Sequence, residues 1–233
     1  MDEWCVRSEM VIGEEGLSKL RSRAVAIFGL GGVGGYACEA LCRSGIGELH
    51  LFDHDTFSVS NLNRQILATK DTIGKFKVDA ARDRALSINP DIKVYAHNMF
   101  FLPENAAEVD FAAFDYVIDA IDTVTGKLKL IECAKEANVP IISCMGTGNK
   151  LKAQMLEIDD IMNTSVCPLA KVMRKELRAR GIDSCKVVYS KEEPVKVHQS
   201  TPGSLVFVPA AAGILMAQEA IRDLLNQAVD MES

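Results

Sequence analysis

Three features of the sequence predict an α/β protein built on a doubly wound, mainly parallel sheet. The β-branched apolar run Ala24-Val-Ala-Ile-Phe28 feeds directly into Gly29, Gly31 and Gly34 and then into a helical pattern. A second apolar strand, Glu48-Leu-His-Leu-Phe-Asp53, follows at the spacing of a βαβ unit and ends on a carboxylate. Strand and helix patterns then alternate to about residue 150, the order a parallel sheet with crossover helices requires. The glycines let the backbone turn tightly and approach a phosphate, with the N-terminal end of the next helix facing the anion. A Rossmann-like nucleotide-binding half is expected, with Asp53 accepting ribose hydroxyls.

The 233 residues are 48% hydrophobic and 25% charged, enough for a substantial core and read as a single domain. No stretch nears the roughly 18 consecutive apolar residues of a membrane span, and the first five residues lack the basic-then-apolar order of a signal peptide. A cytoplasmic protein is expected. Seven scattered cysteines form no C-x-x-C pair, which argues against zinc and against a disulfide framework. A net charge of −6 confines any nucleic-acid contact to a local basic patch.

In chain order, 75–87 reads as a helix, 93–97 as a strand, 116–120 as a buried strand, 125–138 as a helix and 139–144 as the next strand. Gly146 and Gly148 end that strand in a turn. Beyond residue 151 the pattern loosens into a strand at 154–158, a helix at 168–180 and a strand near 186–189, with antiparallel pairing expected as an extension of the sheet. The polar, turn-rich run 191–203 reads as a surface loop, and 209–225 as a final apolar helix.

The glycine motif suits NAD as well as ATP, so the connection after the second strand decides between them. It reads Asn61-Leu-Asn-Arg-Gln65. Arg64 can fork onto phosphate oxygens and stabilise charge as pyrophosphate leaves, a task that hydride transfer does not need. Lys77 adds a point charge, and Asp122 offers oxygen to a magnesium ion. Taken singly, each has a plainer reading: Asn61 and Asn63 as turn formers, Lys77 as a solvated helix residue, Asp119 or Asp122 as a helix cap.

With these residues in view, the chain resembles the adenylate-forming superfamily of ThiF-, MoeB- and ubiquitin-activating-type enzymes over nearly its whole length. The resemblance assigns Gly29, Gly31, Gly32 and Gly34 to the glycine motif and Asp53 to the ribose. It assigns Asn61 and Arg64 to the phosphates, Lys77 to the catalytic lysine and Asp122 to magnesium. Arg7, ahead of Met10-Val-Ile-Gly13, matches an arginine that enters the partner subunit's ATP site, which implies a homodimer. The segments 168–181 and 202–209 are most similar to the tRNA threonylcarbamoyladenosine dehydratase branch. That branch implies ATP-dependent cyclisation of threonylcarbamoyladenosine in tRNA through a carboxyl-adenylate, with ATP and Mg2+ and without zinc. A monovalent cation near the site stays open. Residues 1–150 would form the nucleotide-binding half and 151–233 the substrate-binding and dimerisation half. The alternative is an adenylyltransferase acting on the C-terminus of a ubiquitin-like sulfur-carrier protein, with a sulfur-transfer partner. An NAD-dependent oxidoreductase and a noncatalytic nucleotide-sensing scaffold are weaker competitors, since each leaves Arg64 and Lys77 without a task.

Helical spacing puts Lys171, Arg174, Lys175 and Arg178 on one face of the 168–180 helix and Leu169, Val172, Met173 and Leu177 on another. The cationic face suits an RNA backbone; a solvated amphipathic helix is the competing reading. Cys167, just before Pro168, is the best thiol candidate because a helix start lowers a thiol pKa. Intramolecular cyclisation requires no enzyme thiol, which favours a structural or capping role for it. His50 and His54 read as packing or hydrogen-bonding residues, and His198 as a loop residue able to approach substrate.

Overall fold

Every residue of the first strand, β1 (Ala24–Phe28), is buried, as expected for a parallel strand covered by helices on both faces. The computed structural model describes residues 3–197 and 201–226. Helix α1 (Val6–Arg21) precedes β1, and α2 (Gly34–Arg43), β2 (Glu48–Asp53), α3 (Lys77–Ile88) and β3 (Lys93–Asn98) follow it. Then come β4 (Tyr116–Asp119), α4 (Val124–Glu136), β5 (Ile141–Cys144), β6 (Leu156–Asp160), α5 (Pro168–Ala179), β7 (Lys186–Ser190) and α6 (Phe207–Asn226).

The described strands form one seven-stranded sheet in the order β3-β2-β1-β4-β5-β7-β6. Val25 sits opposite Leu49 on one side and Tyr116 on the other, so β1 lies between β2 and β4. The strand order reverses there, and the C-terminal ends of β1, β2 and β4 open a crevice at the switch point, where ligands of such sheets bind. Two apolar layers cover the sheet. Leu41, Ile46, Met216 and Leu224 belong to one, and Leu130, Ile131, Met173 and Leu177 belong to the other with Phe28, Phe52, Phe101 and Phe111. Phe28 and Phe52 stack at 4.2 Å.

The expected antiparallel extension is half present. Strand β6 runs antiparallel to β7, but β7 itself runs parallel to β5. Sequence explains the difference: Lys186-Val-Val-Tyr-Ser190 buries its last four residues, the continuous run of an interior strand, whereas all of β6 is half-buried, as an edge strand is. Helix α3 begins at Lys77 rather than 75 because Phe76 bridges to Thr56 and Lys75 accepts a backbone bond from Phe57. Helix α1 is not among the helices expected from sequence, and Gly13 at φ +76 kinks it. Among the described residues no helix is long and apolar enough to cross a membrane.

Candidate active site

At the strand ends lies a cavity of about 710 Å³, lined by Gly29, Gly31, Gly32, Asp53, Asn61, Arg64, Lys77 and Asp122 together. Of the site residues expected from sequence, Gly34 and Arg7 stand outside its lining. Gly34 works from behind: a Cβ there would lie 1.7 Å from the Gly29 carbonyl oxygen, so only glycine lets α2 start this close to β1. Gly29 itself holds φ +89 and abuts the Ala120 carbonyl, which leaves no room for a side chain. Arg7 is exposed on α1, away from its own cavity.

Asp53 anchors the glycine loop. Its Oδ2 accepts Leu30 N–H at 2.7 Å and its Oδ1 accepts Asp55 N–H at 2.9 Å. An ionised carboxylate has about four lone-pair sites, so capacity remains for ribose hydroxyls. Lys77 is buried, its ammonium 2.7 Å from Asp55 and 3.8 Å from Asp53. It is therefore not a solvated helix residue. Two carboxylates offset the cost of burying its charge. Burial alone would raise the Asp55 carboxyl, but the hydrogen bond and charge of Lys77, with His54 beside it, hold it below the ordinary carboxylate range.

Asn61 serves both readings. Its Oδ1 accepts Ser58 N–H at 2.9 Å and its carbonyl accepts from Arg64 and Gln65, so it forms the turn while lining the cavity. The Arg64 guanidinium, half-buried, donates to the Ser60 carbonyl and to Asn63 Oδ1, each at 3.0 Å. Both are neutral acceptors, which a charged phosphate oxygen outcompetes.

The stretch after β4 separates the two aspartates that sequence left ambiguous. Asp119 is fully buried and caps nothing; it pairs with the buried Lys127 at 2.9 Å and accepts from Ser143 Oγ at 2.5 Å. Lys127 also donates to the Ile121 carbonyl at 3.0 Å, so this cluster fixes the backbone immediately before Asp122. Asp122 presents an exposed carboxylate to the cavity, and the N-cap of α4 is Thr123. Hard oxygen donors suit Mg2+, and Asp122 fits it better than the Asp53, His54, Asp55 group does. Those three approach within 4.8 Å of one another, but the Lys77 ammonium already occupies Asp55 and offsets part of their negative charge.

Sequence reasoning missed Lys127, Asp55 and Gln65. A lysine within the apolar pattern of α4, eight residues after a strand-end aspartate, was the available signal for the first. Gln65 lines the cavity, is 6% exposed, and its Oε1 finds no partner among the described residues.

Cys167 is 2% exposed, sits behind Gly146 and heads α5 without a side-chain capping bond. Of the expected cationic face, Arg174 is diverted inward, donating to the Thr164 carbonyl at 2.7 Å. Lys171, Lys175 and Arg178 stay exposed, and Val172, expected on the apolar face, is exposed with them. His50 bonds Glu48 at 2.9 Å and His97 at 3.3 Å within the sheet, whereas the exposed His54 lines the cavity, lies against Phe100 and pairs with Asp55 at 3.2 Å. His198 lies outside the described residues.

Comparison with known proteins bears on this arrangement. The model of the ThiF family matches residues 6–232. A tRNA threonylcarbamoyladenosine dehydratase of Bacillus subtilis (strain 168) is 38% identical, with 94% of each chain covered. The protein of the same description from Escherichia coli (strain K12) is 34% identical over 76% of this chain and 68% of its own. The crystal structure of E. coli tRNA N6-threonylcarbamoyladenosine dehydratase, TcdA, in complex with ATP superposes with a TM-score of 0.91 at 30% identity, covering 100% of this chain and 99% of that one. Its AMP complex gives a TM-score of 0.90.

Proposed function

The chain belongs to the ThiF family, and from that premise we propose that it dehydrates threonylcarbamoyladenosine in tRNA to the cyclic form at the expense of ATP. One observation carries the reading: Arg64, Lys77 and Asp122 converge with a glycine cradle and Asp53 on a single cavity. The relatives named for this reaction, matched along most of their length, support the substrate.

The threonyl carboxylate attacks the α-phosphorus of ATP, the bond to the bridging oxygen breaks and pyrophosphate leaves, giving an acyl-adenylate. The carbamoyl group of the same nucleoside then attacks the activated carbonyl and expels AMP. Intramolecular closure draws its rate from positioning. The glycine-loop amides and the start of α2 hold phosphate, Asp53 holds the ribose, and Asn61 shapes the turn that presents Arg64. Arg64 and Lys77 stabilise charge that grows on the departing pyrophosphate. Asp122 would hold Mg2+, which neutralises phosphate charge when bound.

The enzyme acts as a homodimer in which Arg7 of one copy completes the cavity of the other. Exposed Met10 and Val11 beside Arg7, at 79% and 84% exposure, support burial of this surface against a second copy. Residues 151–233 supply the substrate and dimerisation half, and Lys171, Lys175 and Arg178 receive the tRNA backbone. ATP and tRNA meet in the cytoplasm, the setting that suits this reaction. Purified protein with Mg2+, ATP and tRNA carrying threonylcarbamoyladenosine should show isotope exchange between pyrophosphate and ATP that requires the modified tRNA. Exchange driven instead by a carrier protein ending in a free carboxylate would contradict the tRNA reading.

A further inference from the structure

Pro202, Gly203 and Ser204 line the cavity as a strap fastened at two points on opposite halves of the site. On one side Asn149 Oδ1 accepts Gly203 N–H at 2.6 Å, and Asn149 N–H donates to the Gly203 carbonyl at 2.7 Å. Asn149 holds φ +58, a left-handed conformation that asparagine tolerates. On the other side Asn63 Nδ2 donates to the Ser204 carbonyl at 2.9 Å, while Asn63 Oδ1 accepts from Arg64 at 3.0 Å. One carboxamide therefore joins the guanidinium of the nucleotide loop to the strap.

We propose that Asn63 is a positioning residue that couples ATP occupancy to the strap Pro202–Ser204, so that nucleotide binding loosens the strap and admits the substrate. The proposal rests on the adenylating reading above. A guanidinium donating to the amide oxygen polarises the amide and strengthens donation from its nitrogen. When Arg64 turns to a phosphate, a charged and better acceptor, Asn63 Oδ1 is released and the bond to Ser204 weakens. Among the described residues the strap then keeps only its hydrogen bonds to Asn149, and it uncovers the wall made by Gly146, Thr147 and Leu169, beside the start of α5. The linkage is reciprocal: whatever ATP does to substrate affinity, substrate does to ATP affinity.

Hydrogen–deuterium exchange of the peptide spanning 201–206, with Mg-ATP as the added ligand, reads the strap directly. In the wild type ATP should speed exchange about fivefold, at the lower end of typical coupling between sites. In Asn63→Ala the strap should exchange fast with or without ATP, and ATP should bind up to about fivefold more tightly, the reciprocal of the same coupling. In Asn63→Asp the carboxylate keeps Arg64 but offers no donor to Ser204, so the strap should be unresponsive and ATP binding weaker. An equal ATP response in the wild type and Asn63→Ala, or an unchanged wild-type strap with ATP bound, overturns the coupling. Failure of the wild type to bind Mg-ATP, read from the same titration, overturns the functional reading and the coupling with it.

Discussion

Lys127, in the first turn of α4, places its ammonium 2.9 Å from the Asp119 carboxylate at the end of β4, and neither side chain is exposed. With Ser143 on the other carboxylate oxygen and the Ile121 carbonyl on the ammonium, the pair fixes the corner from which Asp122 enters the cavity. Removing one member strands the other as a buried charge. Lys127→Met should cost about 3 kcal/mol or more in urea denaturation. Adding Asp119→Asn should cost less than the sum of the two single losses, because the stranded charge is removed with it.

A second expectation concerns pH. Burial, and then the charge on His50, lowers the His97 pKa from its ordinary value near 6.5. A depressed histidine pKa means that the unfolded chain binds the proton first. His97 therefore contributes stability above pH ~6.5 that is lost as pH falls below it. His97→Phe, which keeps the stack on Phe52, should flatten the fall in urea midpoint between pH ~7.5 and ~5.5. An equal fall in both proteins would exclude His97 as its source.

That the glycines, Asp53 and Arg64 meet at one crevice was legible in the sequence, because glycines and a planar charge recur at fixed offsets from a strand end. Asp55 and Ser143 were not, because their partners lie on other elements and only folding brings them together, and Lys127 showed only as a lysine in an apolar helix. The antiparallel extension is confined to the β6–β7 pair, a limit the sequence does not show because periodicity reports burial, not which neighbour a strand chooses. Arg174 shows the same limit: helical spacing puts it on the cationic face, but Thr164, ten residues earlier, takes its guanidinium.

Charge reversal on α5 separates those two fates. Lys171→Glu with Lys175→Glu and Arg178→Glu should raise KM for tRNA at least tenfold with ATP affinity unchanged. It should also lower the slope of log affinity against log salt by about 2 to 3 for three lost phosphate contacts. Arg174→Ala should instead lower stability by about 1 to 2 kcal/mol, through the buried acceptors it leaves behind, and alter the salt slope little.

Cys167→Ala tests the thiol. The side chain is enclosed and the cyclisation supplies its own nucleophile, so kcat should stay within about twofold, with at most 1 to 2 kcal/mol lost to the smaller side chain. A collapse of turnover with the fold intact, measured by single-turnover kinetics and circular dichroism, would reveal a covalent thiol step.

The central claim, ATP-driven dehydration of the tRNA nucleoside, is tested most directly by nucleoside mass spectrometry. tRNA carrying threonylcarbamoyladenosine is incubated with the purified protein and Mg2+, with and without ATP, and then digested. A nucleoside lighter by one water that forms only with ATP, and not with Lys77→Met, is the predicted result. An unchanged nucleoside mass, while the protein still adenylates a carrier-protein carboxylate, would contradict the account.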